Sequence, residues 1–295
     1  MDEDTLSKYR LAGRIARESL QYGIGLVREG ERLLDVADKI EAMIVSKGAR
    51  PAFPVNIAIN DVAAHFTPRH GDKLAFQRGE LVKLDVGAHV DGYIGDTART
   101  VEVGTTNQQG LIAAAERALA NAISSAKPNV KTRHLGRMIE HTLASFRVKP
   151  ITNLTGHSLE KYSLHAGKSV PNTLDDSDET LVAGDVLAIE PFSTTGSGRV
   201  DGRGRSNIFR IARVAPIDKP ELRDFFARVH GEYRGLPFSE RWCFSIEKRA
   251  ESYLKKLVKR GVVTPYPILC EVSGAMVAQA EHTIIVTEGG NEVIT

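Results

Sequence analysis

The segment that most constrains this chain is ELVKLDVGAHVDGYIGDTARTV, residues 80–101, because two aspartates lie within stretches that otherwise resemble buried strands. Aspartate is depleted in strands, and its carboxylate is costly to bury unless another group compensates it. The dipeptide Asp91-Gly92 favours a tight hairpin turn, so we predict two antiparallel strands beside it. We call residues 80–101 the acid hairpin, and its two acids, Asp85 and Asp96, indicate a bound cation.

The register of the acid hairpin places both acids on one face of the sheet. A two-residue turn at Asp91-Gly92 fixes the pairing and puts Asp85 opposite Ala98. Because side chains alternate along a strand, Asp96 points to the same side as Ala98. The two carboxylates are then diagonal neighbours, about 7–8 Å apart at the backbone. They can therefore share a pair of metal ions, which lie about 3.5–4 Å apart in hydrolytic sites.

The opposite face of the first strand decides between two interpretations of this hairpin. Taken alone, either aspartate is better explained as a solvated residue of a surface hairpin. The opposite face, however, is uniformly apolar and must cover a core. It carries Val82, Leu84, Val86 and Ala88.

The composition limits the class of protein. The chain has 295 residues, 42% hydrophobic and 26% charged, which is ordinary for a globular protein. No stretch reaches the ~18 apolar residues of a membrane span, and the N-terminus is too polar for a signal peptide, so we expect a cytoplasmic protein without a membrane partner. Cys243 and Cys270 are too few for a disulfide framework or a thiolate site, which leaves oxygen and imidazole ligands for a metal. A net charge of +2 does not indicate nucleic-acid binding.

A weak internal repeat indicates two copies of one helix, helix, hairpin unit. Apolar residues at helical spacing predict helices at 5–23, 33–45, 109–126 and 132–146. Gly79–Asp85 aligns without a gap with Gly184–Glu190, and the segment that begins at Asp96 aligns with the one that begins at Glu281. Acid falls on acid in both alignments, so each copy supplies two carboxylates.

The second hairpin contains an insertion. Asp85 and Asp96 are 11 residues apart, whereas Glu190 and Glu281 are 91 apart. Residues 218–261 have helical periodicity and basic ends, which suit the C-termini of helices. We therefore predict an inserted helical subdomain there, within one catalytic domain that spans the whole chain, residues 1–295.

Three further segments have simpler interpretations. The basic residues near 255–260 follow acids on a predicted helix, which favours a solvated helix face over a nucleic-acid patch. The glycine-rich segment 196–204 matches neither common phosphate-binding pattern, so we predict a mobile loop. Residues 52–60 alternate like a strand.

Histidines complete the candidate site. His157 lies in TGHSLEKYSLHAGKSVPN, with His165 eight residues on, and His65 lies just before the acid hairpin. A single loop histidine is usually only a polar surface residue. One imidazole added to four carboxylates nevertheless gives the mixed shell expected for Mn, Fe, Co or Zn, whereas Ca or Mg more often takes oxygen alone.

Five motifs closely resemble those of the methionine aminopeptidases. They are AAHFTP (63–68), KLDVGAHVDGYIGDTART (83–100), TGHSLEKYSLHAGKSVPN (155–172), AIEPF (188–192) and QAEHTIIV (279–286). The insertion resembles type 2 of that family, and the short N-terminal region resembles its archaeal members. The resemblance covers essentially the whole chain. It implies an α+β pita-bread fold, in which two pseudo-symmetric halves curve around a dinuclear metal site.

The resemblance also implies a ligand set for two divalent metal ions, with Co, Mn, Fe, Zn and Ni as candidates. Asp85 would bind one metal, Asp96 and Glu281 would bridge both, and His157 and Glu190 would complete the shell of the other. Glu190 would also be the proton shuttle.

Two further histidines match the non-ligand active-site histidines of the family. By this resemblance His65 and His165 are catalytic and contact the substrate backbone and the transition state. The histidine that matches His65 is the residue alkylated by epoxides of the fumagillin type.

The methionine pocket of the family matches apolar and aromatic residues of this chain. Phe53, Leu164 and Tyr266 would hold the side chain, and Ile208 or Phe209 would add a wall. An apolar pocket suits methionine because its thioether is flexible and polarizable. It discriminates only modestly against leucine, which has a similar volume.

The implied activity is removal of the N-terminal methionine from nascent proteins when the second residue is small. Metal coordination lowers the pKa of water from 15.7 towards about 7, so a hydroxide held by the metals can attack the scissile carbonyl. The partner would be the N-terminal peptide of a nascent chain, which the enzyme could meet at the ribosome. We expect a monomer.

Two rival functions remain open at this point. A prolidase or aminopeptidase P shares the fold, but such enzymes usually carry a sizeable preceding domain, and only about 80 residues precede Asp85 here. A non-catalytic binding protein of the same fold would be expected to lose metal ligands, and all five are present.

Overall fold

The acid hairpin lies at the centre of the computed structural model, which describes residues 1–295. Its two strands run over Leu81–Val90 and Tyr93–Glu102, and Asp85 lies opposite Ala98, as the sequence predicts. The predicted register is therefore confirmed.

The first half of the chain packs two helices against the apolar face of this hairpin. The side chains of that face are fully buried and form one cluster with apolar residues spaced along both helices. The elements of this half are α1 (Glu3–Leu26), α2 (Leu33–Ser46), β1 (Arg50–Pro51), β2 (Asn56–Ile59), β3 (Val62–Ala64), β4 (Leu81–Val90) and β5 (Tyr93–Glu102). Of the strand predicted over residues 52–60, only Asn56–Ile59 forms a strand paired with β4. Pro54, which has no backbone N–H, lies between it and β1.

The second half repeats this arrangement with a second helix pair and a second apolar cluster. Its elements begin with α3 (Gln109–Ser125), α4 (Thr132–Ser145), β6 (Lys149–Pro150), β7 (Thr155–Ser158), β8 (Ser169–Pro171), β9 (Val186–Ile189) and β10 (Phe192–Thr194). The strand that forms the second hairpin with β9 comes only after a long intervening segment.

The segment between the two strands of the second hairpin forms its own apolar cluster. It contains β11 (Val200–Ile211), α5 (Pro220–Tyr233), β12 (Phe238–Ser239), α6 (Glu240–Cys243), α7 (Ala250–Lys259) and β13 (Val263–Glu271). Strands β12, β11, β13 and β3 form a four-stranded sheet in that order. We call residues 218–261 the insertion. None of the helices is long and apolar enough to cross a membrane.

A large antiparallel sheet joins the two halves. The chain returns to it through β14 (Val277–Thr287) and β15 (Gly290–Val293). Its main order is β1-β4-β5-β14-β9-β7-β8, so β14 pairs with the first half through β5 and with the second half through β9. Strand β14 is therefore the seam of the molecule.

The loop predicted over residues 196–204 ends at Arg199, so the prediction is wrong from Val200 onward. Residues from Val200 onward belong to β11 and pair with β13. The preceding turn is held by the buried carboxylate of Glu271, which accepts hydrogen bonds from the backbone N–H groups of Ser197 and Gly198 at 2.5 and 3.3 Å. An acid far along the sequence thus fixes a segment whose composition predicts flexibility.

Candidate metal centre

One pocket brings together all ten side chains that the sequence predicts for the site. They are Phe53, His65, Asp85, Asp96, His157, Leu164, His165, Glu190, Tyr266 and Glu281. Of the two candidates for a further wall, Ile208 lines the pocket, whereas the ring of Phe209 stacks on Phe238 at 6.0 Å between centroids.

Three neighbouring strands carry a row of side chains across the floor of this pocket. Asp85 on β4 and Glu281 on β14 both lie opposite Ala98 on β5, one on each side of it. Asp96 is two residues from Ala98 on the same strand and points to the same face. Because Ala98 has only a methyl group, the space between the three carboxylates stays open.

The second half adds a carboxylate and an imidazole to this row. Glu190 directly follows β9, and the register of β9 against β14 places it beside Glu281. His157 on β7 has its Nε2 atom 3.6 Å from Glu190 Oε1 and 3.9 Å from Asp96 Oδ2. Potential ligand atoms of Asp96, His157 and Glu281 all lie within 4.8 Å of one another.

Several polar atoms of this group are buried without a hydrogen-bond partner. They are Asp85 Oδ1, Asp96 Oδ1 and His157 Nδ1. Buried polar atoms in proteins nearly always have a partner, so the two unpaired aspartate oxygens indicate that they face an ion. The imidazole nitrogen on the side of the carboxylates is Nε2 of His157. Carboxylate oxygens with an imidazole nitrogen form a donor set that suits zinc and divalent transition metals. The residues present therefore fit a metal centre.

Electrostatics gives a second reason to expect cations here. Burial raises the pKa of Asp85 to about 7. Burial also raises the pKa of Asp96 well above its usual value, and the charges of Asp85 and Glu190 add to this effect. The pKa values of Glu190 and Glu281 are raised by burial first and by neighbouring carboxylates second. The four acids can all be charged near pH 7 only if cations compensate them.

Gln279 lies beside two of the pocket carboxylates and was not predicted from the sequence. Its Nε2 atom lies 3.5 Å from Glu190 Oε2 and 3.4 Å from Glu281 Oε2. The available signal was its position two residues before Glu281 on one strand, which puts both side chains on the same face. Three pocket residues were also missed: Asn56, Ala64 and Pro237.

His65 has the geometry of a neutral imidazole with one free nitrogen. Its Nδ1 atom lies 3.2 Å from the carbonyl oxygen of Pro267, which can only accept, so Nδ1 carries the proton. The lone pair is then on Nε2. Burial lowers the pKa of His65 to about 4, although the Pro267 carbonyl acts in the opposite direction. The ring packs edge-on against Tyr266, with centroids 4.9 Å apart.

His165 and His157 form a pair of adjacent rings with centroids 4.4 Å apart. Burial lowers the pKa of His165, and the charge of Arg210 acts in the same direction. Burial lowers the pKa of His157 to about 3, and His165 adds to the effect. Both imidazoles are therefore neutral near pH 7, so each has one nitrogen that donates and one that can bind a metal or accept a hydrogen bond.

The apolar side of the pocket depends on a glycine in the acid hairpin. A Cβ atom at Gly87 would lie 2.2 Å from the ring of Phe53, so only glycine lets this ring reach the pocket. Ile208 and Tyr266 add walls from β11 and β13, and Pro237 closes the side that faces the insertion. The pocket is thus apolar on one side and acidic on the other.

Comparison with known proteins connects this arrangement to a family. Residues 7–288 match the metallopeptidase family M24. A methionine aminopeptidase of Methanothermobacter thermautotrophicus is 42% identical over 98% of this chain and 98% of its own length. The solved structure of a thermophilic Arx1 has a TM-score of 0.86 at 19% identity, covering 100% of this chain and 91% of that one. A methionine aminopeptidase from Thermotoga maritima has a TM-score of 0.72 at 22% identity, with 100% and 98% covered.

The chain belongs to metallopeptidase family M24, and its fold is the α+β pita-bread fold of that family. Within the family it groups with the methionine aminopeptidases, so it is an enzyme, a metal-dependent aminopeptidase and a hydrolase. The resemblance carried by its motifs is confirmed.

Proposed function

We propose that this enzyme removes the N-terminal methionine of a protein when the second residue is small. The observation that carries the proposal is a single pocket in which an apolar wall faces four acids and three neutral histidines. The apolar wall suits the thioether of methionine, and the acidic side suits divalent cations.

The metal ligands that we propose are Asp85, Asp96, His157, Glu190 and Glu281, which together would hold two divalent ions. Co, Mn, Fe, Zn and Ni all suit this donor set. When bound, the ions supply an activated water near neutral pH and a Lewis acid that polarises the scissile carbonyl.

Residues of the chain carry out the remaining steps of the hydrolysis. The neutral imidazole of His165 donates a hydrogen bond to the developing oxyanion, where a donor placed in advance is most effective. The Nε2 atom of His65 accepts from the peptide backbone of the substrate. The carboxylate of Glu190 takes a proton from the attacking water and returns it to the leaving amine, a role for which its position beside the other pocket carboxylates suits it.

Substrate choice follows from the shape of the two sides of the pocket. Phe53, Leu164, Ile208 and Tyr266 enclose the methionine side chain, while close contact with the second residue excludes large side chains. Met-Gly, Met-Ala, Met-Ser, Met-Thr, Met-Val and Met-Pro peptides should be cut, and Met-Lys and Met-Phe peptides should not. We further infer that the substrates are nascent chains in the cytoplasm, met at the ribosome by a monomeric enzyme.

Mass spectrometry of synthetic peptides tests this function. Metal-loaded protein should release methionine from Met-Ala-Ser and leave Met-Lys-Ser intact, and a chelator should stop the release. Release of proline from Xaa-Pro dipeptides without any cleavage of Met-Ala-Ser would assign the prolidase activity instead. Metal binding without cleavage of either peptide class would assign a non-catalytic binding role.

A further inference from the structure

A buried ion pair ties the insertion to the first half of the molecule. Arg241 on α6 donates to both carboxylate oxygens of Glu41 on α2, and the two side chains are only 5% and 10% exposed. Such a two-point arginine–carboxylate contact fixes orientation as well as distance. Asp38 lies on the solvent side of the pair, 3.5 Å from the guanidinium group.

The carboxylate of Glu41 also holds two further groups. It accepts a hydrogen bond from the backbone N–H of Val55 at 3.1 Å and one from the indole Nε1 of Trp242 at 2.7 Å. The hydroxyl of Thr67 donates to the carbonyl of Val55 at 2.8 Å, and Arg241 lies 3.4 Å from that hydroxyl. We call these five residues, Glu41, Val55, Thr67, Arg241 and Trp242, the Glu41 clamp.

The Glu41 clamp connects three separate segments that line the methionine pocket. Val55 lies two residues after Phe53, Thr67 lies two residues after His65, and Arg241 lies four residues after Pro237. The backbone at His65 has a φ of 65°, which a residue other than glycine adopts only when its surroundings hold it there. One buried carboxylate therefore sets the relative position of three walls.

We propose that Glu41 and Arg241 are positioning residues that hold the methionine pocket in its binding geometry, and that the insertion acts on substrate binding through them. The inference deepens the proposed function and rests on it. Neither residue touches the pocket, so the effect is transmitted by Val55, Thr67 and the segment from Pro237 to Arg241. A pair that only stabilised the fold would be replaceable by apolar residues, because buried ion pairs often contribute no net stability over such replacements.

The main test variant, Glu41→Met/Arg241→Met, removes both charges and so leaves no unpaired charge buried. Glu41→Gln is a second variant that keeps the shape and an acceptor oxygen but leaves Arg241 with only the exposed Asp38 as a counter-charge, so a larger loss of stability is expected from it. Arg10→Met/Glu292→Met is the matched control, since this more exposed pair has a two-point contact at 2.8 and 2.8 Å and does not line the pocket. We expect the KM for Met-Ala-Ser to rise about tenfold in the first variant, because a displacement of binding groups by about 1 Å can cost up to about 100-fold. We expect kcat and metal content to stay within about twofold and the control to match wild type.

A second measurement does not depend on activity. Backbone amide exchange should accelerate in residues 53–56 and 65–67 of the double variant, while β4 and β14 keep their protection. The fluorescence of Trp242, the single tryptophan of the chain, should shift in both Glu41 variants. A folded double variant with wild-type KM and wild-type exchange in these segments would overturn the inference. If wild-type protein cleaves no Met-Ala-Ser, the proposed function fails, and unchanged exchange in residues 53–67 would then overturn the positioning role as well.

Discussion

The hairpins of the two halves carry equivalent acids in different registers. In the first half Asp85 faces Ala98, so Asp96 lies diagonal to it. In the second half Ile189 pairs with His282 on one side and Phe192 pairs with Gln279 on the other, which sets Glu190 directly opposite Glu281. The second register is therefore shifted by two residues from the first.

The shift shows what fixes each hairpin. Asp91 and Gly92 have φ values of 52° and 90°, which a two-residue turn requires, and this turn dictates the pairing of β4 with β5. The second hairpin has the insertion in place of a turn, so packing alone sets its register. A shift by two keeps every side chain on its own face, whereas a shift by one would have moved Glu190 out of the site.

The largest effect is expected at the seam between the two hairpins. Glu281→Gln should lower kcat/KM on Met-Ala-Ser by more than about 100-fold, because the amide is a poor metal bridge and even outer-sphere losses cost 10- to 100-fold. Circular dichroism should stay unchanged. Glu288→Gln, an exposed position in the turn that follows, is the control. Retention of more than about a tenth of the wild-type turnover would remove Glu281 from the site.

A covalent probe distinguishes the histidines that the two halves contribute. An epoxide of the fumagillin type should alkylate His65, whose Nε2 atom is the free nitrogen, and should leave His165 unmodified. Peptide mapping after incubation with the inhibitor locates the adduct. His165→Ala should still be labelled and His65→Ala should not. An adduct confined to Cys243 or Cys270 would show that His65 lacks the expected nucleophilicity.

The pH dependence of the metal-free protein tests the repulsion among the acids. Their pKa values are raised in the folded state, so the folded chain holds protons that the unfolded chain releases, and stability is lost as the pH rises from near 4 through about 7. The buried histidines, whose pKa values are lowered, act in the opposite direction below about pH 6.5. The Tm of metal-free protein should therefore fall by at least about 2 °C between about pH 6.5 and pH 8, equivalent to ~1 kcal/mol. Saturating metal should remove most of this fall, as paired thermal scans would show.

The difference between the two registers predicts which hairpin contributes more to this loss of stability at high pH. Like charges directly opposite each other destabilise a sheet more than diagonal ones. Glu190→Gln should therefore restore more of the metal-free Tm at high pH than Asp85→Asn does. A larger recovery in Asp85→Asn would mean that the different registers do not control the repulsion.

The smallest effect is expected where the halves differ in side-chain volume. Gly87 aligns with Phe192 of the second half, and Gly87→Ala should clash with the ring of Phe53. Overpacking costs roughly 1–3 kcal/mol, so the Tm should fall by about 2–10 °C and the KM should rise. Gly110→Ala, where a Cβ atom meets nothing, serves as the control. Phe53→Leu combined with Gly87→Ala should recover the Tm but not the KM, and recovery of both would argue against a wall at Phe53.

The sequence predicts those parts of the site that local rules control. The turn at Asp91-Gly92 determines where Asp85 and Asp96 point, and the acid-on-acid repeat finds Glu190 and Glu281. Such local rules do not predict Pro237, which lines the pocket only because of the tertiary packing of the insertion. They also misjudge the segment before β11, because Glu271, more than sixty residues away, supplies its hydrogen bonds.

The position of Ala98 indicates one way in which a protein of this fold can lose its catalytic activity. Its methyl group separates Asp85 from Glu281 and contributes no ligand atom. A single codon change to a longer side chain at this position would fill the space between the carboxylates and leave all five proposed ligands in the sequence. An inactive descendant could therefore keep the full set of ligand motifs. Active and inactive members of this fold can therefore differ at the residue between the proposed ligands as well as at the ligands themselves.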